Sequence, residues 1–140
     1  MNNFPDFAEQ GYQIQQKIEQ NRDCDRVTYL AQITQMQTQV ILHQFLLPQS
    51  GNFGLGETAL AQEIHAFKKL NHPGIPRYLD SFIALGSFWL VQEYKNALPL
   101  TSYSQFDAQT IKQIALAILE ILVYLKNCNP SIIHQAIRPE

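Results

Sequence analysis

The chain has 140 residues, enough for one ordinary domain or a large piece of one. Its apolar fraction of 46% and formal net charge of -2 exclude a disordered chain. With a pI near 6.1 and no basic stretch, a general nucleic-acid binder is excluded as well.

The first half reads as strands. Tyr12, Ile14 and Ile18 alternate with Gln13, Gln15 and Lys17, the period-2 pattern of a half-buried strand. Val27 to Ile33 is a second β-prone run, and the polar tract Thr34 to Gln39 makes a turn into a third, Val40 to Leu47. Three strands with short connections predict an antiparallel meander. Residues 48–56, PQSGNFGLG, are a loop by composition. Glu57 to Leu70 then shows helical spacing, with Leu60, Ile64 and Phe67 on one face, Lys68 and Lys69 in the last turn, and a stop at Asn71–Gly74. Tyr78 to Ala84 and Phe88 to Tyr94 are two further strands around a turn at Leu85–Ser87.

Beyond the breaker Pro99, Asp107 is placed as the N-cap of a long helix over 108–127. Ile111, Ile114, Ile118, Ile121 and Leu125 form one stripe, which Leu119, Leu122 and Val123 widen almost all round. A helix that apolar needs cover on several sides. The order is β-β-β-α-β-β, a linker over 95–106, and the long helix, an α+β arrangement. The longest apolar run, Ile114 to Leu125, is about 12 residues and shorter than a bilayer span requires. No basic and apolar leader pattern occurs in MNNFPDFAEQ, and Cys24 and Cys128 belong to no CxxC pair. A cytoplasmic protein without a membrane partner is the expectation.

Several strings in this order resemble the protein kinase family, especially bacterial Ser/Thr kinases. KIEQNRDCDRVTYLA (17–31) falls where the family has its glycine-rich hairpin, and VILHQF (40–45) where strand three carries V-A-I-K. QEIHAFKKLNHPGIPRYLDSF (62–82) looks like the αC helix and its run into strand four. FWLVQEY (88–94) looks like strand five and the hinge, and IIHQAIRPE (132–140) like the catalytic loop. The resemblance implies a kinase-like N-lobe over 11–95, a hinge over 96–106, and the start of the larger lobe over 107–140. Residues 1–10 are then an N-terminal extension. The fold implied is a five-stranded antiparallel sheet with one αC-type helix, then a long αE-type helix.

The chemistry of phosphoryl transfer is mostly positioning and electrostatics, and here its parts are altered. The hairpin tip, Asn21 to Arg26, has no glycine, and Asp23 and Asp25 stand where the nucleotide's own negative charge would lie. His43 replaces the strand-three lysine; near its ordinary pKa of ~6.5 it is mostly neutral at pH 7, and it is shorter. Ile41 fills a slot where the family often has alanine. Glu63 is in register with the αC glutamate. In the catalytic-loop motif His134 is retained, Gln135 replaces the arginine, Ala136 replaces the aspartate base and Arg138 replaces the lysine. On the resemblance, Ile18, Ile41, His43, Glu63, Gln92, Glu93 and Tyr94 outline a vestigial nucleotide pocket, with no cofactor and no metal expected in it. Lys17, Arg22 or Arg26 is the basic residue that would have to stand in for the lysine.

Two other patterns carry no chemistry. Gly51 to Gly56 is spaced GxxGxG, the reverse of the dinucleotide fingerprint, and reads as a strand–helix connection. His43, His65, His72 and His134 with two distant cysteines show no metal-ligand spacing. The expectation is a catalytically inactive kinase-like module acting by binding, as regulator or scaffold. Its partner is a protein or a second copy engaged through the 107–127 helix. The alternatives are the N-terminal fragment of a Ser/Thr kinase-like protein with residual ATP and Mg²⁺ binding, and a decayed reading frame whose product folds without a selected role.

Overall fold

The structure is a computed structural model and describes residues 4–21, 26–46, 62, 64–132 and 137. Its element order is β1 (Tyr12–Asn21), β2 (Arg26–Ile33), β3 (Gln39–Leu46), β4 (Tyr78–Ala84), β5 (Ser87–Glu93) and α1 (Ala108–Asn127), with single 3-10 turns at Ala8–Gln10 and Leu100–Ser102. The strands form one antiparallel sheet in the order β1-β2-β3-β5-β4. The expected α+β arrangement is therefore present: a five-stranded sheet and a C-terminal helix. Strand ends shift by a residue or so from the sequence reading; β5 starts at Ser87 and stops at Glu93. Of the helix expected over 57–70, residues 62 and 64–69 are helical and Leu70 lies past its end; the remainder falls outside the described residues, as do the tip residues 22–25 and the loop 47–61.

Two compact units make up the chain, Met1–Leu70 with Pro76–Tyr94, and Asn71–Ile75 with Lys95–Glu140. In the first, period-2 alternation sends Tyr29, Ala31, Val40, Leu42, Trp89 and Val91 to one side of the sheet, where they form the core with Tyr12 and Ile14. A residue from outside the sheet completes this core. Phe7, 1% exposed, packs edge-on to Trp89 at 4.6 Å and to Phe82 at 5.3 Å between ring centroids.

The chain reaches that position by a tight reversal. Asp6 Oδ1 accepts a hydrogen bond from the amide of Ala8, and the amides of Gln10 and Tyr12 donate to the carbonyl of Phe7. Gly11 takes φ 82°, left-handed backbone that costs other residues about 1 kcal/mol or more. Residues 1–10 precede the first strand, and Phe7 of that segment sits at the centre of the aromatic core. An isolated Phe in a polar stretch has no period to reveal it.

Buried polar groups on this side are satisfied. Tyr29 Oη donates to Gln44 Oε1, whose amide donates to Ser87 Oγ at 3.0 Å, and Trp89 Nε1 donates to the Ala84 carbonyl. Tyr12 Oη donates to Asp80 Oδ2 at 3.1 Å; burial, with help from Asp80, pushes this phenol up to about 12. The many glutamines also find a use: Gln15, Gln32 and Gln39 exchange amide hydrogen bonds across β1, β2 and β3. Edge strand β1 breaks register twice, between Ile14 and Gln16 and between Lys17 and Glu19, which twists it away from further pairing.

In the second unit Asp107 caps α1, its carboxylate accepting from the Thr110 amide at 2.7 Å. The 71–75 segment lies against the helix. Tyr124 Oη accepts from the Asn71 amide at 2.8 Å, and a Cβ on Gly74 would come within 2.8 Å of Ile121 Cδ1. The expected single stripe is divided in the structure: Leu125 is buried and Ile114, Ile118 and Ile121 are half-buried, whereas Ile111 is exposed. The helix outruns the 12-residue apolar stretch that pointed to it. At 20 residues and a mean hydropathy of 1.5 it is, by length and composition, apolar enough to cross a membrane.

Truncating Phe7 leaves an aromatic-sized void against Trp89. Phe7→Ala is expected to lower unfolding free energy by about 3–5 kcal/mol in urea titrations. A loss under about 1 kcal/mol would show that the N-terminal segment is dispensable to the core.

Candidate functional site

His43 lies on β3, an interior strand of the sheet, opposite Thr28 of β2 and Leu90 of β5. The flanking rows on the same side are Arg26, Phe45 and Phe88 at one end, and Leu30, Ile41 and Gln92 at the other. Thr28, Phe88 and Leu90 are all buried, so water has little access to the imidazole. Both ring nitrogens are engaged instead. Nδ1 lies 3.1 Å from Thr28 Oγ1, and Nε2 lies 2.9 Å from Gln92 Oε1. An amide oxygen can only accept, so the ring proton sits on Nε2 and the Thr28 hydroxyl donates to Nδ1. One neutral tautomer satisfies every group in this three-strand clasp.

Electrostatics favour the same state. Burial lowers the His43 pKa to about 4; the Gln92 hydrogen bond works against that shift, and the nearby Arg26 charge adds to it. Arg26 itself has a buried Nε with no hydrogen-bond partner among the described residues. A neutral imidazole with both nitrogens occupied is neither a fixed cation nor a free base.

The structure brings Ile41, His43 and Gln92 of the expected pocket to one side of the sheet. Glu93 turns to other work: its carboxylate accepts from the Arg77 amide and lies 3.5 Å from Arg77 Nε, while its own amide donates to the Arg77 carbonyl. Tyr94 follows β5 and is half-buried. Ile18 falls at the second register break of β1 and is 50% exposed. Glu63, His134, Gln135, Ala136 and Arg138 lie outside the described residues, as does Arg22. Thr28 is the participant that sequence reading missed. Within VTYLA it reads only as a strand residue, and its role appears once β2 and β3 are in register. No group of three or more His, Cys, Asp or Glu side chains that would suit a metal ion occurs among the described residues.

Comparison with known proteins places the chain near Ser/Thr protein kinases. It is 30% identical over 82 residues (58% of the chain) to serine/threonine-protein kinase MST20 of Pyricularia oryzae. It is 32% identical over 90 residues (56% of the chain) to the probable serine/threonine-protein kinase WNK4 of Arabidopsis thaliana. It is 30% identical over 82 residues (58% of the chain) to serine/threonine-protein kinase SMU1 of Mycosarcoma maydis. The chain spans only 9%, 15% and 11% of the length of these three relatives. No family model matches it. The likeness is to Ser/Thr kinases at large and does not single out bacterial members. The five-stranded sheet and the C-terminal helix are compatible with a kinase N-lobe.

The clasp has a pH signature. Above about pH 6.5 His43 is neutral folded and unfolded, so it adds no pH dependence. Below that the unfolded chain binds a proton that the folded chain, with its lowered pKa, refuses, and stability falls as pH drops towards 4. Between pH 7 and pH 5 the loss attributable to His43 is expected to be about 2 kcal/mol. Urea unfolding of the wild type and of His43→Leu at both pH values measures it. An equal pH dependence in the two proteins would mean that the imidazole is not held neutral.

Proposed function

We propose that this chain is a protein-kinase-like module that does not transfer phosphate and acts by binding, as a regulator or scaffold. The carrying observation is the neutral, doubly hydrogen-bonded His43 at the position that the kinase resemblance assigns to the strand-three lysine. Phosphoryl transfer uses a fixed cation there to hold the nucleotide's phosphates. Here the imidazole is spent on Thr28 and Gln92, and Ile41 stands two residues away on the same side of the sheet. The glycine-free tip and Ala136 act against other parts of the same reaction, so the losses compound. The low charge and the absence of basic stretches favour a protein partner over nucleic acid. The surface we assign to binding is the long helix.

Arg26 supports a second reading, in which the module keeps a weak affinity for nucleotide phosphates. Its buried Nε, without a partner among the described residues, lies near His43, and an anion would satisfy it.

A thermal-shift titration with ATP, with and without Mg²⁺, separates the two. A ligand at 100 times its dissociation constant adds about 2.7 kcal/mol to stability. We expect no shift at millimolar nucleotide. A saturable shift lost in Arg26→Gln supports the second reading, and phosphate transfer to a generic protein substrate would overturn the first.

A further inference from the structure

The structure points to a second copy of this chain as the partner of α1, packed antiparallel across a two-fold axis; this inference rests on the binding-module reading and names its partner. Leu116, Leu119 and Val123 are 50%, 55% and 57% exposed. They recur at the i, i+3, i+7 spacing of a helix-pairing seam, and Lys112 and Lys126 continue the same seam beyond either end. Ala115 and Leu122 flank it on one side and Glu120 on the other.

The charges select the occupant. From cap to last turn their signs run minus, plus, minus, plus, at Asp107, Lys112, Glu120 and Lys126. A parallel copy would set every charge against its own kind. Reversing the direction reverses the order, so an antiparallel copy meets each charge with its opposite. In the register that stacks Leu116 on the second copy's Leu119, Lys112 comes within a turn of the second copy's Glu120. In the same register Lys126 approaches the end of the second copy's helix that Asp107 caps. The two-fold repeats each relation, which makes the contact isologous and closed. A bilayer would also cover the apolar residues, but at the expense of burying Lys112 and Glu120.

Sedimentation equilibrium of the full chain tests this. We expect a dimer at tens of micromolar, weakened about tenfold by Lys112→Glu or by Glu120→Lys alone and restored when the two are combined. Circular dichroism checks that each variant keeps its helix, and Leu119→Gln gives a dimer-breaking control that leaves every charge in place. A monomer throughout would overturn the proposal. So would a dimer indifferent to the single reversals, one not restored by the double reversal, or flotation with phosphatidylcholine vesicles in place of self-association. Phosphate transfer to a protein substrate by an intact dimer would sink the inactive-module reading alone, whereas a monomer that transfers none would sink only this one.

Discussion

An interior strand of a sheet covered on both sides gives the side chains at its middle little water, and β3 and β5 are both interior in the order β1-β2-β3-β5-β4. Five consecutive residues of β5, Ser87 to Val91, are buried, which alternation allows only when both sides of the sheet are covered. Any polar group on these strands must then be neutral or fully partnered. Gln44 meets this with Tyr29 and Ser87, and His43 meets it with Thr28 and Gln92. The lowered pKa of His43 follows from the same dryness. A lysine in this setting would need a counter-charge close by; a neutral imidazole needs two hydrogen-bonding neighbours, and the register of β2 and β5 provides them.

The clasp bears on how the kinase likeness should be read. Similarity in element order and in strings such as FWLVQEY concerns which side chains point into a core, and packing tolerates much substitution. Chemistry depends on the charge and reach of single groups. A fold can therefore keep its resemblance while one residue changes what the pocket holds. Here the hydrogen bond from His43 to Gln92 joins strand three to the end of strand five across the region that the resemblance assigns to a nucleotide.

The long helix presents a different problem from the sheet. Its inner residues, Ile121, Tyr124 and Leu125, are engaged by 71–75 and by the chain after Cys128, where the amide of Ile132 donates to the Leu125 carbonyl. The outer side keeps apolar residues beside charges of alternating sign. Apolar area alone would accept any cover. An order of charges, unlike apolar area, distinguishes one orientation of a neighbour from another.

Much of the architecture was legible in the sequence because alternation and helical spacing are local signals. Both are set by which residues face a core, so Tyr78–Ala84 and Ala108–Asn127 could be bounded almost to the residue. The kinase-like strings likewise pointed to His43, Ile41 and Gln92 before any geometry was known. Tertiary structure alone decided three other matters. Phe7 became the plug of the aromatic core because Gly11 folds the chain back over Trp89, and a lone aromatic has no period to announce it. Thr28 and Gln92 became partners of His43 because pairing registers, set by long-range strand contacts, brought residues 15 and 49 positions away to its two nitrogens. The C-terminal half of the helix stripe gained a covered side because 71–75 and the chain after Cys128 pack at Ile121, Tyr124 and Leu125. On the strands and the helix, local pattern determined which side chains could turn inward, and only the packed chain determined what they would meet there; for Phe7 the packed chain determined both.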